Sequence, residues 1–206
     1  MFPSNFTYEF FTLLVILDPI ATVPVFLAVS YGLPWRDRFK VAVTALLVAF
    51  GILTAFIFLG VEFLKVLDIS TASFQLAGSI ILFLLGLDMV TGRLHSEIAN
   101  LPANATIFER AAYPLAMPCI AGAGAILTVV MLSDNHARVV TEQLQTTLVL
   151  ASCLLVHFIS FMVSGMIMKY LGRAGIQIVT RVFGLMICSI AVSGIVIAIK
   201  LSFGLA

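Results

Sequence analysis

Two short runs in this sequence combine residue types that could do chemistry. The first is Asp18-Pro19-Ile20-Ala21-Thr22-Val23-Pro24, near the middle of an apolar stretch. The second is Pro114-Leu115-Ala116-Met117-Pro118-Cys119-Ile120-Ala121-Gly122-Ala123-Gly124. Proline has no N–H and clashes with the carbonyl four residues back. Pro19 therefore frees the carbonyl of Val15, Pro24 that of Ile20 and Pro118 that of Pro114. Freed carbonyls suit an ammonium group or a cation. Gly122 and Gly124 let the backbone leave helical geometry and approach a small molecule. A half-helix that restarts beyond such a break offers unpaired N–H groups and a positive dipole end, which suit a carboxylate. A carboxylate inside a membrane span is costly and usually functional, so Asp18 is a candidate partner for an ammonium group or a proton carrier. Together the two runs predict a site for a zwitterion. The amides of Gly122, Ala123 and Gly124 would hold its carboxylate, and Asp18 with the carbonyls of Val15 and Ile20 would face its ammonium.

Plainer roles compete at each position. Asp followed by Pro is also a natural cap and first-turn pair for a helix. Kinks at proline and glycine are common in membrane helices, and neighbouring groups can satisfy them. Thr22 and Thr128 could offer hydroxyls to a ligand or bond their own backbone. His157 could relay a proton, or it could simply pack where Ser160 and Ser164 give a small-xxx-small spacing. Asp88 and Arg93 read as an interfacial pair or as a gate. Arg181 reads as an orienting charge or as the partner of a gate carboxylate such as Asp88. Cys119, Cys153 and Cys188 lie in apolar stretches and make no disulfide or metal pattern, so no metal or cofactor is expected.

The elements that must position these residues follow from composition. Of 206 residues, 62% are hydrophobic and 10% charged, against roughly 45–50% and about 25% in soluble proteins. A net charge of +1 leaves no basic face for nucleic acid. Six apolar stretches are long enough to cross a bilayer as helix: Asn5–Ser30, Val41–Val61, Ser73–Val90, Tyr113–Ser133, Leu144–Met168 and Val179–Phe203. The alternating segments of a barrel are missing. The first Lys or Arg is Arg36, so the first stretch is expected to be a retained helix rather than a cleaved leader. Arg36, Arg38, Lys40, Arg93, Arg110, Lys169, Arg173 and Arg181 fall on one side of this arrangement. Lys65, Arg138 and Lys200 fall on the other. The positive-inside rule then places joints one, three and five in the cytoplasm and both termini outside.

The six stretches divide into two sets of three. Each set opens on a helix broken by proline near its middle, and an offset of 99 superposes Pro19 on Pro118. Three is odd, so the second set enters from the opposite face. Matched breaks in inverted halves point to a transporter's binding site. The expected fold is an all-α membrane protein of six transmembrane helices, as two inverted three-helix repeats with helices one and four broken. Repeat one covers 1–91, a connector 92–112 and repeat two 113–206.

The same residues resemble a known family. Leu17-Asp18-Pro19-Ile20 with Pro24-Val25-Phe26, the run from Pro114 to Ile126, and Thr180-Arg181 with Gly184-Leu185 are similar to the MarC family, as is Gln75-Leu76-Ala77-Gly78 with Leu82-Phe83-Leu84. The likeness covers essentially the whole chain. That family is named for an antibiotic-resistance operon and has relatives that transport glycine and alanine. The resemblance implies a six-helix fold with inverted repeats, a substrate site at the two broken helices, proton coupling and a bacterial inner-membrane location. Ala21 and Ala123 stand where the family usually has Gly and Pro. Alanine tolerates left-handed backbone poorly, so the first break is expected to be more helical here.

The expected function is secondary transport of small neutral amino acids by alternating access, with a proton or cation as coupling partner. A proton-coupled exporter of drugs or amphipathic compounds is the first alternative. A non-transporting membrane scaffold or accessory protein is the second. Enzyme motifs for zinc hydrolysis, serine nucleophiles and phosphate loops are missing from the sequence, so no catalytic role is expected.

Overall fold

The structure is a computed structural model that describes residues 6–92, 105–135 and 140–204. It is all α-helical among the described residues. The elements are α1 (Phe6–Leu17), α2 (Thr22–Val29), α3 (Trp35–Val66), α4 (Thr71–Thr91) and α5 (Ile107–Arg110). A wide, proline-broken helical stretch, Ala111–Ile120, leads to α6 (Ala123–Asn135), α7 (Val140–Met162) and α8 (Ser164–Ser202).

Four helices are long and apolar enough to cross a membrane: α3, α4, Glu142–Met162 of α7 and Ala174–Ser202 of α8. Two bent pairs pass the same test, which makes up to six spans. The α1–α2 pair bends by 51°, and the pair Ile107–Ile120 and Ala123–Ser133 by 59°. Both bends fall where proline was expected to interrupt a span.

Boundaries differ from the sequence reading at several points. α3 runs from Trp35, six residues ahead of its apolar stretch, because Pro34 in extended conformation opens it and Trp35–Lys40 is itself good helix. At 1.5 Å per residue its 32 residues reach about 48 Å, well beyond a ~30 Å hydrocarbon layer. The fifth stretch, expected to continue to Met168, stops at Met162, and α8 starts at Ser164. Ser160 and Ser164 therefore lie on different helices, and the expected small-xxx-small face is not formed. The polar joint Lys169–Ile178 is itself helical, broken only at Gly172, whose φ of 64° an L-residue seldom adopts.

Local signals set the helix ends. The Ser70 hydroxyl accepts from the Ser73 N–H at 3.0 Å to start α4, and Gly92, at φ 80°, ends it. Thr106 and Glu109 form a reciprocal capping box at α5. The Val29 and Ser30 carbonyls at the end of α2 accept from Arg110 Nη1 at 2.9 Å and Arg38 Nε at 3.3 Å. Cations are favourable at that end of a helix dipole.

Packing is inside out by the standard of soluble proteins. Leu47, Leu59, Phe63, Leu148, Leu155 and Leu185 are exposed, as a lipid-facing surface requires. The larger core gathers Leu13, Leu17, Phe26, Leu53, Leu115, Leu150 and Phe161, with Phe26 stacked on Phe161 at 4.5 Å. α7 lies along α1 in parallel: Thr146 meets Glu9, Cys153 meets Phe10, and His157 meets Leu17. α4 and α8 run antiparallel and touch backbone to backbone. A Cβ on Gly86 would lie 2.9 Å from the Gly184 carbonyl oxygen, and one on Gly184 would lie 2.9 Å from that of Gly86. Membrane helices pack most closely through such small residues.

Replacing Gly86 or Gly184 by Val should therefore destabilise the protein by about 1–3 kcal/mol. Thermal unfolding in detergent would show it as a lowered midpoint. Gly51→Ala, where an added Cβ meets nothing within 4 Å, should leave the midpoint unchanged or raise it.

Candidate functional site: two helix breaks around one cavity

The first break is built by Asp18. Its backbone sits at φ 42°, a left-handed conformation that Asp tolerates better than most L-residues. Its N–H still reaches the Leu14 carbonyl at 3.1 Å. Its side-chain Oδ1 then accepts from the N–H groups of Ile20 at 3.3 Å and Ala21 at 3.1 Å. The capping role expected of Asp18-Pro19 is thus formed. Ala21 is right-handed helical, at φ −66° and ψ −25°, so the first break is helical there, as its departure from glycine predicted. The Thr22 hydroxyl donates to the Pro19 carbonyl at 3.1 Å.

One expectation is corrected here. The Ile20 carbonyl is not freed by Pro24, because the Val23 N–H donates to it at 3.2 Å. Pro24 sits in the first turn of α2, where a missing N–H breaks no helical bond.

The second break comes from two prolines. Tyr113 and Met117 are extended, at φ −135° and −132°, as residues before proline are driven to be. The Ala121 N–H then reaches back five residues to the Ala116 carbonyl at 2.8 Å. α6 restarts at Ala123. Gly122 is bare because the Pro118 carbonyl oxygen approaches to 2.5 Å from where its Cβ would stand. A Cβ on Gly124 would meet Leu82 Cδ1 at 2.5 Å. The Thr128 hydroxyl donates to the Gly124 carbonyl at 2.8 Å.

Both breaks face one cavity of about 470 Å³, a volume typical of small-molecule sites. Asp18, Ala21, Thr22, Pro118, Gly122 and Gly124 line it, and Asp88 joins them from α4. Pro19, Ile20, Pro24, Ala121 and Ala123 belong to the breaks but do not line the cavity. Asp18 is 4% exposed. Its Oδ2 has no hydrogen-bond partner among the described residues.

The remaining candidates lie apart from the cavity. No ion pair joins Arg181 to Asp88 among the described residues. The Arg181 guanidinium instead stands by Gly92, 3.7 Å from where a Cβ would be, at the carbonyl end of α4. Arg93, the other partner considered for Asp88, lies outside the described residues. His157 is fully buried. Its Nδ1 lies 3.1 Å from the Cys153 carbonyl and its Nε2 3.2 Å from the Leu17 carbonyl. A neutral imidazole can donate to one of these oxygens, an imidazolium to both. It therefore ties α7 to the last residue of α1, directly before the break.

Sequence reasoning passed over Glu9. It is 1% exposed on α1 and accepts from Thr146 Oγ1 at 3.1 Å and Gln145 Nε2 at 3.4 Å. The signal was present, since Glu9 stands in the same apolar stretch as Asp18.

A family model described as MarC family integral membrane protein matches residues 4–203. The chain belongs to the MarC family. Its similar proteins include a UPF0056 membrane protein of Methanocaldococcus jannaschii, 34% identical over 197 residues, 95% of this chain and 96% of the relative. One from Pyrococcus horikoshii is 33% identical, covering 92% of each chain. The UPF0056 membrane protein YvbG of Bacillus subtilis is 28% identical over 96% of this chain and 95% of its own. No solved structure matches. As a MarC protein, the chain is an integral, multi-pass membrane protein.

In this MarC chain, replacing His157 by Leu should leave the Leu17 carbonyl short of a buried partner and cost about 1–3 kcal/mol. Thermal unfolding would measure it, with His157→Gln expected to recover part of the loss through its amide donor.

Proposed function

We propose that this MarC protein is a secondary transporter of small neutral amino acids, of the glycine and alanine type, working by alternating access with a proton or cation as coupling partner. One observation carries the reading. Asp18, which lines a cavity between two helix breaks, spends one carboxylate oxygen on the Ile20 and Ala21 amides and leaves Oδ2 buried and unpartnered among the described residues. In an apolar span such an oxygen requires a cation or a proton. A substrate ammonium meets that need, and the first amides of α6, beside Gly122, suit the carboxylate at the other end. Ala123 does not line the cavity and the Ile126 N–H donates to the Gly122 carbonyl at 3.0 Å, so the amides of Gly124 and Ala125 are assigned that role.

The inverted-repeat reading draws support from the same geometry. Asp18 and Met117 correspond under the offset of 99, both precede proline, and both leave helical geometry. The two bends, 51° and 59°, are of similar size. The Lys and Arg distribution supports an orientation with both termini outside, and the family resemblance supports a bacterial inner membrane. A non-catalytic role completes the proposal.

Purified protein in proteoliposomes should take up labelled glycine or alanine when a proton gradient is imposed. Glycine at one hundred times its dissociation constant should add ~2.7 kcal/mol to stability. Asp18→Asn should insert normally, because its amide oxygen can still cap Ile20 and Ala21, yet lose uptake about tenfold or more, since a hydrogen bond to a charged group is worth ~1.5–3 kcal/mol. Full uptake by Asp18→Asn would remove Asp18 from the mechanism. Uptake of bulky amphipathic compounds without any amino acid response would favour the exporter.

A further inference from the structure

A second cavity, of about 130 Å³, lies on the other side of the two breaks. The larger cavity is lined by the second half of the first bent pair, the end of α4 and the proline stretch, through Thr22, Asp88 and Pro114. The smaller is lined by the opposite ends of matching elements: Tyr8 and Thr12 on α1, Gln75 and Ser79 on α4, Thr128 on α6 and Ser193 on α8. The two cavities therefore sit toward opposite ends of the bundle.

Only a thin layer separates them. Ile16 lines both. Leu82 lines the smaller cavity, and its Cδ1 lies 2.5 Å from where a Cβ would stand on Gly124, which lines the larger. The same point on Gly124 is 3.6 Å from Ile16 Cγ2.

We propose that the smaller cavity is the opposite-face vestibule of one permeation path, and that Ile16, Leu82 and Gly124 form the septum closing it. The inference rests on the transporter reading and extends it to a second compartment. Its lining is mostly apolar, through residues such as Leu127, Met131, Leu132 and Ile190, with hydroxyl and amide groups but no formal charge among them, so it gives a small zwitterion passage without holding it as Asp18 would. Gln75 and Ser79, one turn apart on α4, are buried yet make no hydrogen bond to other described residues. Dry packing would penalise both, whereas a vestibule that admits water satisfies them. The septum also stands where a hinge can move it. Ile16 is two residues ahead of Asp18, and Gly124 is the second residue of α6. A change of angle at either break shifts the septum against Leu82, which belongs to the unbroken α4.

Two single-cysteine proteins in oriented proteoliposomes test this. The first keeps only Cys119, which lines the larger cavity, in a C153S/C188S background. The second is S79C with C119S/C153S/C188S. A membrane-impermeant thiosulfonate should label the two positions from opposite faces. Saturating glycine should change the two labelling rates in opposite directions, each by severalfold. Leu82→Ala should raise gradient-independent glycine leak severalfold over the unmutated chain. Labelling of both cysteines from one face alone would overturn the proposal. So would an inert S79C in a protein that takes up glycine with its Cys119 protected. Opposite-face labelling without any amino acid uptake would uphold the path and overturn the amino acid reading instead.

Discussion

Lipid offers the backbone no hydrogen bonds, and that single constraint organises this structure. An unbroken helix satisfies itself, but each of the two bent pairs leaves donors and acceptors that must be met from within the protein. Side chains meet them one by one. Asp18 caps the Ile20 and Ala21 amides, and Thr22 reaches back to Pro19. Thr128 reaches back to Gly124. His157 and Arg110 arrive from distant parts of the chain to the carbonyls of Leu17 and Val29. Among the buried polar residues, Asp18, Thr22, Thr128 and His157 serve as partners of backbone at the breaks. Four buried side-chain oxygens are left over among the described residues, Ser30 Oγ, Thr54 Oγ1, Thr180 Oγ1 and Asp18 Oδ2, and only the last belongs to a carboxylate.

The broken helices work against a frame of unbroken ones. α4 and α8 close on each other at Gly86 and Gly184, and Gly60 on α3 and Gly78 on α4 receive Val130 and Leu127 of α6. Each of these contacts leaves no room for a Cβ, so these helices are fixed by steric fit rather than by polar bonds. Close-packed interfaces of this kind are bistable rather than continuously deformable. Helical geometry, by contrast, is interrupted at residues 18–21 and 121–122, the positions where a change of angle between helix halves meets least resistance from the backbone ladder.

Much of this was legible in the sequence because helix breaking is a local property. Asp18-Pro19 and the Pro114–Gly124 run announce their breaks through missing N–H groups and missing side chains, whatever surrounds them. Composition likewise decides for membrane helices without reference to tertiary structure. What escaped depends on distance. Leu17 and His157 are 140 residues apart, so nothing local marks the histidine as a tie for the first break. Gly86 and Gly184 look like ordinary membrane glycines until the helices are laid together. Pro24 was assigned the wrong consequence because its effect depends on where α2 starts, and Thr22 rather than Ile20 sets that point. Glu9 is different. Its type and place in an apolar stretch already called for the question asked of Asp18.

The division of labour within the Asp18 carboxylate bears on how a carrier could avoid moving empty. Oδ1 is fixed by two amides, so the side chain has little rotational freedom to lose when Oδ2 meets a partner, and binding is correspondingly preorganised. Oδ2 is buried even beside the open cavity, so an ionised and unpartnered oxygen there is already disfavoured. Closing the larger cavity around a bare carboxylate cuts off the route by which a cation or proton could reach it and leaves a buried charge uncompensated, which is strongly unfavourable. Closing it around a carboxylate that holds an ammonium or a proton carries no such penalty. The same geometry that caps α2 therefore favours the change of access in the loaded protein over the empty one. Asp18→Asn, which keeps the cap and removes the charge, would lift that discrimination without loosening the break.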